Sequence, residues 1–261
     1  MLTRRHFITT TTALFSAPLT PVWAQEQAED PAPIPFETLP EDGGAEITAS
    51  EAPAPEAVAE ASPPPRTTPS AAQMARWDAQ VTPANYDPAT SNPWGLHPRF
   101  LPQRVEANPS LTPGDIHVDA VARYLYFIEP EGTAMRYGVA IGRGGLYEPG
   151  TYTIRRKVKW PWWTPTDEMI EREPQTYEQY ADGMPPGPSN ALGARALYLF
   201  QGNRDTYLRI HGTPQPWSIG TRASSGCARM VMAHIIGLYD RVETGATARL
   251  YPAEDSLGAR S

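Results

Sequence analysis

Residues 210–213 read Ile-His-Gly-Thr, and residues 224–230 read Ser-Ser-Gly-Cys-Ala-Arg-Met. These stretches contain Cys227, the one cysteine among 261 residues, and His211, the nearest histidine before it. A cysteine reacts as a thiolate, and a neighbouring imidazole can take up its proton, either in a resting ion pair or during attack. We therefore interpret Cys227 as a catalytic nucleophile and His211 as its proton acceptor and donor.

The alternation of residues up to His211 predicts a β-strand over residues 207–211. Leu208 and Ile210 share one face of this strand, and Arg209 and His211 share the other. The imidazole also needs a partner that fixes its tautomer. A backbone carbonyl is the first candidate for that partner, and Asp205 is the second.

Glycines beside the two candidate groups indicate how a reacting carbonyl is held. Gly226 has no Cβ, so a substrate can approach the amides of Gly226 and Cys227, which are candidate donors to an oxyanion. Gly212 lets the chain turn sharply after the strand and is counted with this backbone group. Arg229, Ser224 and Ser225 are the candidate substrate-binding residues.

Two simpler interpretations compete with this site. A lone cysteine is often a small buried apolar residue, although an idle thiol is hazardous in an oxidising compartment. His234 is a second candidate base, but it opens a predicted C-terminal helix and is expected to be solvated. The five scattered histidines and single cysteine show no ligand spacing, so we expect neither a metal nor a cofactor.

The N-terminus predicts export. Residues 1–24 combine Arg4-Arg5, a mildly apolar run and small residues, which is typical of a twin-arginine signal peptide. An uncleaved anchor is the alternative, but the run is short for a bilayer and no later stretch approaches spanning length. We expect a location in the periplasm or cell envelope, with no stable membrane insertion once the signal is removed.

A Pro-, Ala- and Glu-rich segment, residues 25–70, follows the signal. It holds most of the acidity behind the net charge of −7, because residues 67–261 carry equal numbers of acidic and basic side chains. Such a segment cannot bury enough apolar surface to fold and is predicted to be a disordered linker. It is either a plain tether or the docking site of an envelope protein. The balanced charge beyond it does not favour nucleic-acid binding.

The rest of the chain predicts a mostly β domain. Residues 71–111 form an N-terminal arm, residues 112–252 the folded body and residues 253–261 a tail. Successive alternating stretches predict the strands, and Ile235, Leu238 and Val242 mark one face of the main, C-terminal helix. Short helices are expected in loops, with Thr166 capping one that Pro174 stops. The tryptophans of the loop segment 160–190 either line a cleft or pin this segment to the sheet.

At these residues the chain resembles the L,D-transpeptidase family with a YkuD-type catalytic domain. The resemblance covers residues 112–252 and is strongest over 211–220, His-Gly-Thr-x-x-Pro-Trp-Ser-Ile-Gly, and over 224–230. Residues 160–165, Trp-Pro-x-Trp-Thr-Pro, and 190–195, Asn-Ala-Leu-Gly-Ala-Arg, add to it. Many members have histidine where this chain has Ser225, and the chain is similar to the serine-containing branch.

The resemblance implies a sandwich- or barrel-like β domain in the cell envelope, with Cys227 as nucleophile and His211 as its base. It also implies acyl transfer on peptidoglycan stem peptides. The thiol attacks the bond before a terminal D-alanine, and an amine resolves the thioester into a 3-3 cross-link. Arg229 either binds a stem carboxylate with its planar guanidinium or braces the loop.

Three other functions stay open at this stage. A hydrolase of the same fold would trim stems or cut cross-links, as an L,D-carboxypeptidase or endopeptidase. A related enzyme would join a stem to a lysine of an envelope protein. A non-catalytic wall-binding module is the alternative from a different class.

Overall fold

Strands dominate the computed structural model, which describes residues 66–253. The predicted signal peptide, residues 25–65 of the predicted linker and the tail beyond residue 253 lie outside the described residues. The strands are β1 (Gln103–Glu106), β2 (Ile116–Asp119), β3 (Tyr124–Ile128), β4 (Thr133–Gly138), β5 (Ile141–Gly142), β6 (Gly150–Lys159), β7 (Arg195–Gln201), β8 (Arg204–Thr213), β9 (Arg222–Ser224), β10 (Ala228–Val231) and β11 (Thr247–Leu250). The α-helices are α1 (Ala71–Val81), α2 (Asp167–Arg172), α3 (Pro174–Tyr177) and α4 (Met232–Arg241). The mostly β prediction is confirmed.

Nine strands form one sheet in the order β1-β4-β3-β2-β11-β6-β7-β8-β10. Most neighbours are antiparallel, but β10 runs parallel to β8, and β11 runs parallel to β2 and antiparallel to β6. The short strands β5 and β9 pair in parallel as a second sheet. This order puts the two strands that flank the candidate site, β8 and β10, at one edge of the large sheet.

The predicted C-terminal helix packs on the sheet through its expected face. Ile235, Leu238 and Val242 are fully buried in the main core with strand residues such as Leu197 and Ile210. Fully burying an aliphatic side chain of this size contributes about 1.5–3 kcal/mol. The helix therefore fixes the backs of β7 and β8, whose other faces line the candidate site.

The structure contradicts the expectation that His234 is solvated. It is buried, not solvated, because aromatic residues of the arm cover the start of α4. Its Nε2 lies 2.7 Å from the hydroxyl of Tyr86, and the ring of Trp94 meets its ring edge-on at a centroid distance of 5.5 Å. Burial lowers the pKa of His234 to about 3. This histidine is part of the packing between arm and helix.

The arm contains a helix that was not predicted from the sequence. α1 begins after Ser70, whose hydroxyl accepts the amide of Gln73. From α1, the Asp78 carboxylate accepts bonds of 2.9 and 2.7 Å from the Arg195 guanidinium and a 3.1 Å bond from the indole of Trp160. The arm is thereby tied to the first residue of β7.

The 160–190 segment uses its tryptophans in both of the ways considered. Trp160 is fully buried and pins the segment, whereas Trp162 and Trp163 line a groove. Thr166 caps α2 by accepting the amide of Met169, and the helix ends at Arg172, so the predicted cap and stop are confirmed. Among the residues that the structure describes, no helix has the length and apolar character needed to cross a bilayer.

Candidate active site

A groove of about 1100 Å³ lies over the face of β8 that points away from the core. His211, Cys227 and Arg229 all line it. Its other walls come from the 160–190 segment, including Trp163 and Tyr177. The two residues singled out in the sequence therefore share one solvent-accessible space.

Parallel pairing of β8 with β10 brings Cys227 and His211, the candidate nucleophile and base, to the same edge of the sheet. Arg229 is the Cα partner of His211, and Ala228 is the partner of Ile210. Cys227 immediately precedes Ala228, so it comes alongside Arg209, and its side chain shares the face of Arg229 by alternation. Continued by one residue, this register puts Cys227 two positions from His211 along β8, and both side chains line the groove.

The turn before Cys227 is held by Ser224. The Ser224 hydroxyl donates to the carbonyl of Cys227 at 2.5 Å, and it accepts the amide of Gly226 at 3.2 Å. Gly226 has a φ of +126°, a backbone conformation that only glycine adopts readily. The Gly226 amide is thus engaged within the turn, which leaves the amide of Cys227 as the stronger candidate for an oxyanion donor. The buried Ser224 side chain has a positioning role in the same turn.

The imidazole of His211 is oriented by a backbone carbonyl. Nδ1 lies 2.6 Å from the carbonyl oxygen of Gly212. A carbonyl only accepts, so Nδ1 carries the hydrogen and Nε2 keeps the lone pair that can take a proton. The prediction of a carbonyl partner is confirmed. Asp205, the alternative, binds the guanidinium of Arg209 at 2.7 and 2.9 Å.

A tight turn behind the strand holds that carbonyl in place. Asn190 is buried and accepts the amide of Leu192 at 2.8 Å, while its own amide donates to the carbonyls of Met184 and Pro185. Gly193 follows with φ +60°, and a Cβ there would lie 2.8 Å from the carbonyl carbon of Gly212. Only a glycine lets this turn lie so close to the carbonyl that orients the imidazole.

Both candidate groups are neutral in this environment. Burial, aided by the charge of Arg229, lowers the pKa of His211 to about 3. Burial also raises the pKa of the Cys227 thiol, with Arg209 partly opposing the rise. A neutral imidazole beside a neutral thiol favours general-base action during attack over a resting ion pair.

Arg209 is a charged residue of the site that sequence reasoning did not assign. Its guanidinium lies 3.9 Å from the ring centroid of Tyr198 and is paired with Asp205. The available signal was alternation, since it places Arg209 on the same strand face as His211.

Arg229 has the bracing role considered for it, and carboxylate binding stays a prediction. Its Nη1 donates to the side-chain oxygen of Gln215 at 3.3 Å, which braces the loop before β9. Its Nε is buried without a hydrogen-bond partner, and burial lowers the pKa of the guanidinium. A desolvated donor of this kind at the groove is suited to an incoming carboxylate.

The 160–190 segment contacts the loop before Cys227 through Tyr177, a second residue that the sequence did not indicate. The hydroxyls of Tyr177 and Ser225 lie 2.9 Å apart. Nearby, Glu173 forms an ion pair with Arg143, whose amide donates to the carbonyl of Ser224. Within residues 66–253, no group of three or more His, Cys, Asp or Glu side chains is placed to hold a metal ion.

Comparisons with known proteins bear on this geometry. The family model of the YkuD L,D-transpeptidase catalytic domain matches residues 113–250. The probable L,D-transpeptidase ErfK/SrfK of Escherichia coli K12 is 29% identical over 153 residues, covering 58% of this chain and 47% of that protein. The probable L,D-transpeptidase YbiS of the same strain is 30% identical over 147 residues, covering 56% and 46%. The chain spans about half the length of the curated relatives it matches.

One solved structure has a higher identity under a different name. A probable carnitine operon oxidoreductase from Brucella melitensis is 52% identical, covers 57% of this chain and 91% of that chain, and has a TM-score of 0.42. A TM-score at that level supports no statement about function.

Proposed function

Because this chain belongs to the YkuD family of L,D-transpeptidase catalytic domains, we propose that it is a cysteine-dependent acyltransferase that acts on peptidoglycan stem peptides. The observation that carries the proposal is that His211 on β8 and Cys227, in the bend immediately before the parallel strand β10, line one groove. The bacterial cell envelope is the corresponding location, reached by the export signal proposed for residues 1–24.

Acylation begins with the neutral thiol. Cys227 Sγ attacks the carbonyl between the third stem residue and the terminal D-alanine while Nε2 of His211 takes the thiol proton. The Cys227 amide donates to the oxyanion that forms. The carbon–nitrogen bond then breaks, His211 returns the proton to the leaving amine, and a thioester to Cys227 remains.

Deacylation follows the same route in reverse. An amine from a neighbouring stem attacks the thioester carbonyl and loses a proton to His211. The sulfur leaves and recovers that proton, which regenerates the thiol and yields a cross-link between two third-position residues. Arg229, with its unpartnered buried Nε, is placed to bind a stem carboxylate during either step.

The acceptor separates this function from its relatives on the same fold. Water in place of the amine would make the protein an L,D-carboxypeptidase or endopeptidase, and a protein lysine would make it an attachment enzyme. A non-catalytic wall-binding module would need neither the oriented imidazole nor a half-buried thiol in the groove.

Intact mass after incubation with a carbapenem, an acylating β-lactam, tests the covalent step. We expect one adduct on the wild type, none on Cys227→Ala, and acylation slowed at least about 100-fold in His211→Ala. His97→Ala removes an exposed histidine of the arm and is the matched control, expected to react like the wild type. An adduct that survives in Cys227→Ala, or none on the wild type, would refute the proposal.

Purified tetrapeptide stems then identify the acceptor. We expect release of D-alanine with a cross-linked dimer when a second stem is present. A tripeptide as the sole product would instead assign the hydrolase. Muropeptide profiles of an overexpressing strain would show the same distinction in cells.

A further inference from the structure

Tyr207 has an unfavourable backbone conformation at an exposed position. Its φ is +59°, inside β8, and its side chain is 68% exposed. Left-handed backbone is an outlier for a bulky aromatic residue, whereas asparagine or glycine tolerates it. Strain of this kind persists where the surrounding structure imposes it, and it concentrates at functional sites.

A bulge in β8 imposes the strain. Arg209 pairs with Tyr198, and Asp205 pairs with Phe200, so β8 takes four steps where β7 takes two. Asp205 Oδ1 accepts the amide of Tyr207 at 2.9 Å. The hydroxyl of Thr206 donates to the carbonyl of Leu199 at 2.7 Å. Such bulges re-aim a side chain next to active sites.

The bulge places Tyr207 directly beside the nucleophile. Its carbonyl oxygen accepts the Cys227 thiol at 3.8 Å, and its ring lines the same groove. Because Cys227 comes alongside Arg209, Tyr207 lies toward one end of the groove and His211 toward the other. The sulfur is between them.

The order Tyr207, Cys227, His211 along the groove divides it into a side for the leaving group and a side for the acyl group. In the proposed reaction His211 gives its proton to the leaving amine, so the leaving group must lie on the His211 side of the sulfur. The part of the donor that stays attached as the thioester must then extend toward the other side. We propose that the Tyr207 ring forms the wall of the subsite that binds this acyl part of the donor, an inference that rests on the proposed function.

The surroundings of the ring specify what it binds. The Arg209 guanidinium lies 5.9 Å from the Tyr207 ring and 3.9 Å from the Tyr198 ring, and Asp205 neutralises it. Two aromatic rings around a paired cation fit the methylene chain of a long side chain better than a free carboxylate. The acyl residue next to the scissile bond, a diamino acid in the proposed substrate, has such a chain.

Two variants separate strain from contact. Tyr207→Asn removes the ring and suits the left-handed backbone, so we expect a Tm equal to or above that of the wild type together with a loss of about tenfold in the kcat/KM of acylation. Tyr207→Phe keeps the ring and should recover most of that loss. A Tm clearly below the wild type, or unchanged acylation by Tyr207→Asn, would overturn the inference.

Donor analogues then locate the contact. Two donors that differ in the leaving residue alone should lose the same factor in Tyr207→Asn. Two donors that differ in the length of the acyl side chain should not, because the shorter chain has less contact to lose. The reverse pattern would place Tyr207 in the leaving-group subsite and refute the assignment.

Failure of the proposed function would give a different result from failure of the Tyr207 subsite. A wild type that forms no acyl-enzyme with any donor refutes the acyltransferase, with the Tm comparison still reporting on the strain at Tyr207. A wild type that reacts while Tyr207→Asn reacts equally well refutes the subsite alone.

Discussion

Single backbone atoms control the orientation of His211, the proposed proton acceptor of the site. The carbonyl of Gly212 orients His211, and Gly193 approaches that carbonyl at a distance that no Cβ permits. The imidazole is therefore held by the turn behind the strand and not by a carboxylate. A change at Gly193 should act on chemistry without touching any group of the groove.

Gly193→Ala should weaken both fold and activity. The added Cβ would meet the carbonyl carbon and oxygen of Gly212 at 2.8 and 3.0 Å, and the φ of +60° is strained for alanine. Gly202→Ala is the matched control, since φ is +57° there and nothing lies within 4 Å. We expect both to lose about 1–2 kcal/mol of unfolding free energy in urea, with Gly193→Ala losing more. Acylation should fall at least about tenfold in Gly193→Ala alone. Equal activity in the two variants would contradict this account.

The neutral thiol and imidazole predict an unusual pH profile. Burial raises the pKa of Cys227 and lowers that of His211 to about 3. Iodoacetamide alkylation of Cys227 should therefore keep rising above the ordinary thiol range near about pH 8.5. Acylation should show no loss on lowering the pH through about 6.5, because the imidazole stays neutral there. An alkylation plateau at neutral pH would indicate a resting ion pair instead.

The sequence singles out His211 and Cys227 as candidates but does not predict their surroundings. Alternation in β8 predicts the face of His211, whereas the placement of Cys227 in the same groove follows from the pairing of β8 with β10. The predicted strand begins at residue 207, so the bulge of residues 205–209 was not anticipated. Asp205, which accepts the amide of Tyr207, offers a local signal for the bulge, but the bond from Thr206 to the carbonyl of Leu199 requires the pairing with β7.

At the scale of elements, α1 supports the edge of the site from outside. Its Asp78 binds the guanidinium of Arg195, which is 3% exposed, and Arg195 directly follows the Asn190–Ala194 turn behind His211. Met74, Trp77 and Val81 pack around Trp160. The helix is thus connected to the active site through β7.

Asp78→Asn should destabilise the protein. It leaves the buried guanidinium of Arg195 without its counter-charge, which typically costs about 3–5 kcal/mol. Asp182→Asn removes an exposed carboxylate from the 160–190 segment and is the control. Urea unfolding measures the difference, and equal midpoints for the two variants would show that the arm contributes little to stability.

The helices differ in how well the sequence predicts them. The buried residues of α4 show helical spacing in the sequence. Thr166 and Pro174 indicate where α2 begins and ends. α1 has no buried residue, but Met74, Trp77 and Val81, which pack around Trp160, follow helical spacing after the Ser70 cap. The local signal for this helix was therefore present and was not used.

At the scale of the molecule, buried histidines link stability to pH. Burial lowers the pKa of His211 and His234 to about 3 and also lowers that of His117. The unfolded chain takes up these protons near about pH 6.5, so their contribution is complete above that pH and is lost as the pH falls toward about 3.

Unfolding free energy should therefore decrease between about pH 6.5 and 4, by up to about 1.4 kcal/mol per pH unit for each histidine. His234→Gln offers the test, because glutamine can still bind the Tyr86 hydroxyl but does not titrate. We expect a shallower pH dependence of its urea midpoint. A slope identical to that of the wild type would remove His234 from this linkage.

Strand order is the property that the sequence predicted least. The strands themselves follow from alternation, but the insertion of β11 between β2 and β6 pairs Ala248 with both Ile116 and Tyr152, which are far from it in the chain. Long-range pairing of this kind has no local signature, since each strand is compatible with several neighbours.

That insertion also governs when the sheet can close during translation. Until Thr247–Leu250 leave the ribosome, β2 and β6 face each other with no strand between them. Open edges of this kind readily accept strands from other chains. A chain that lacks Thr247–Leu250 would therefore keep both edges open and should be prone to intermolecular association.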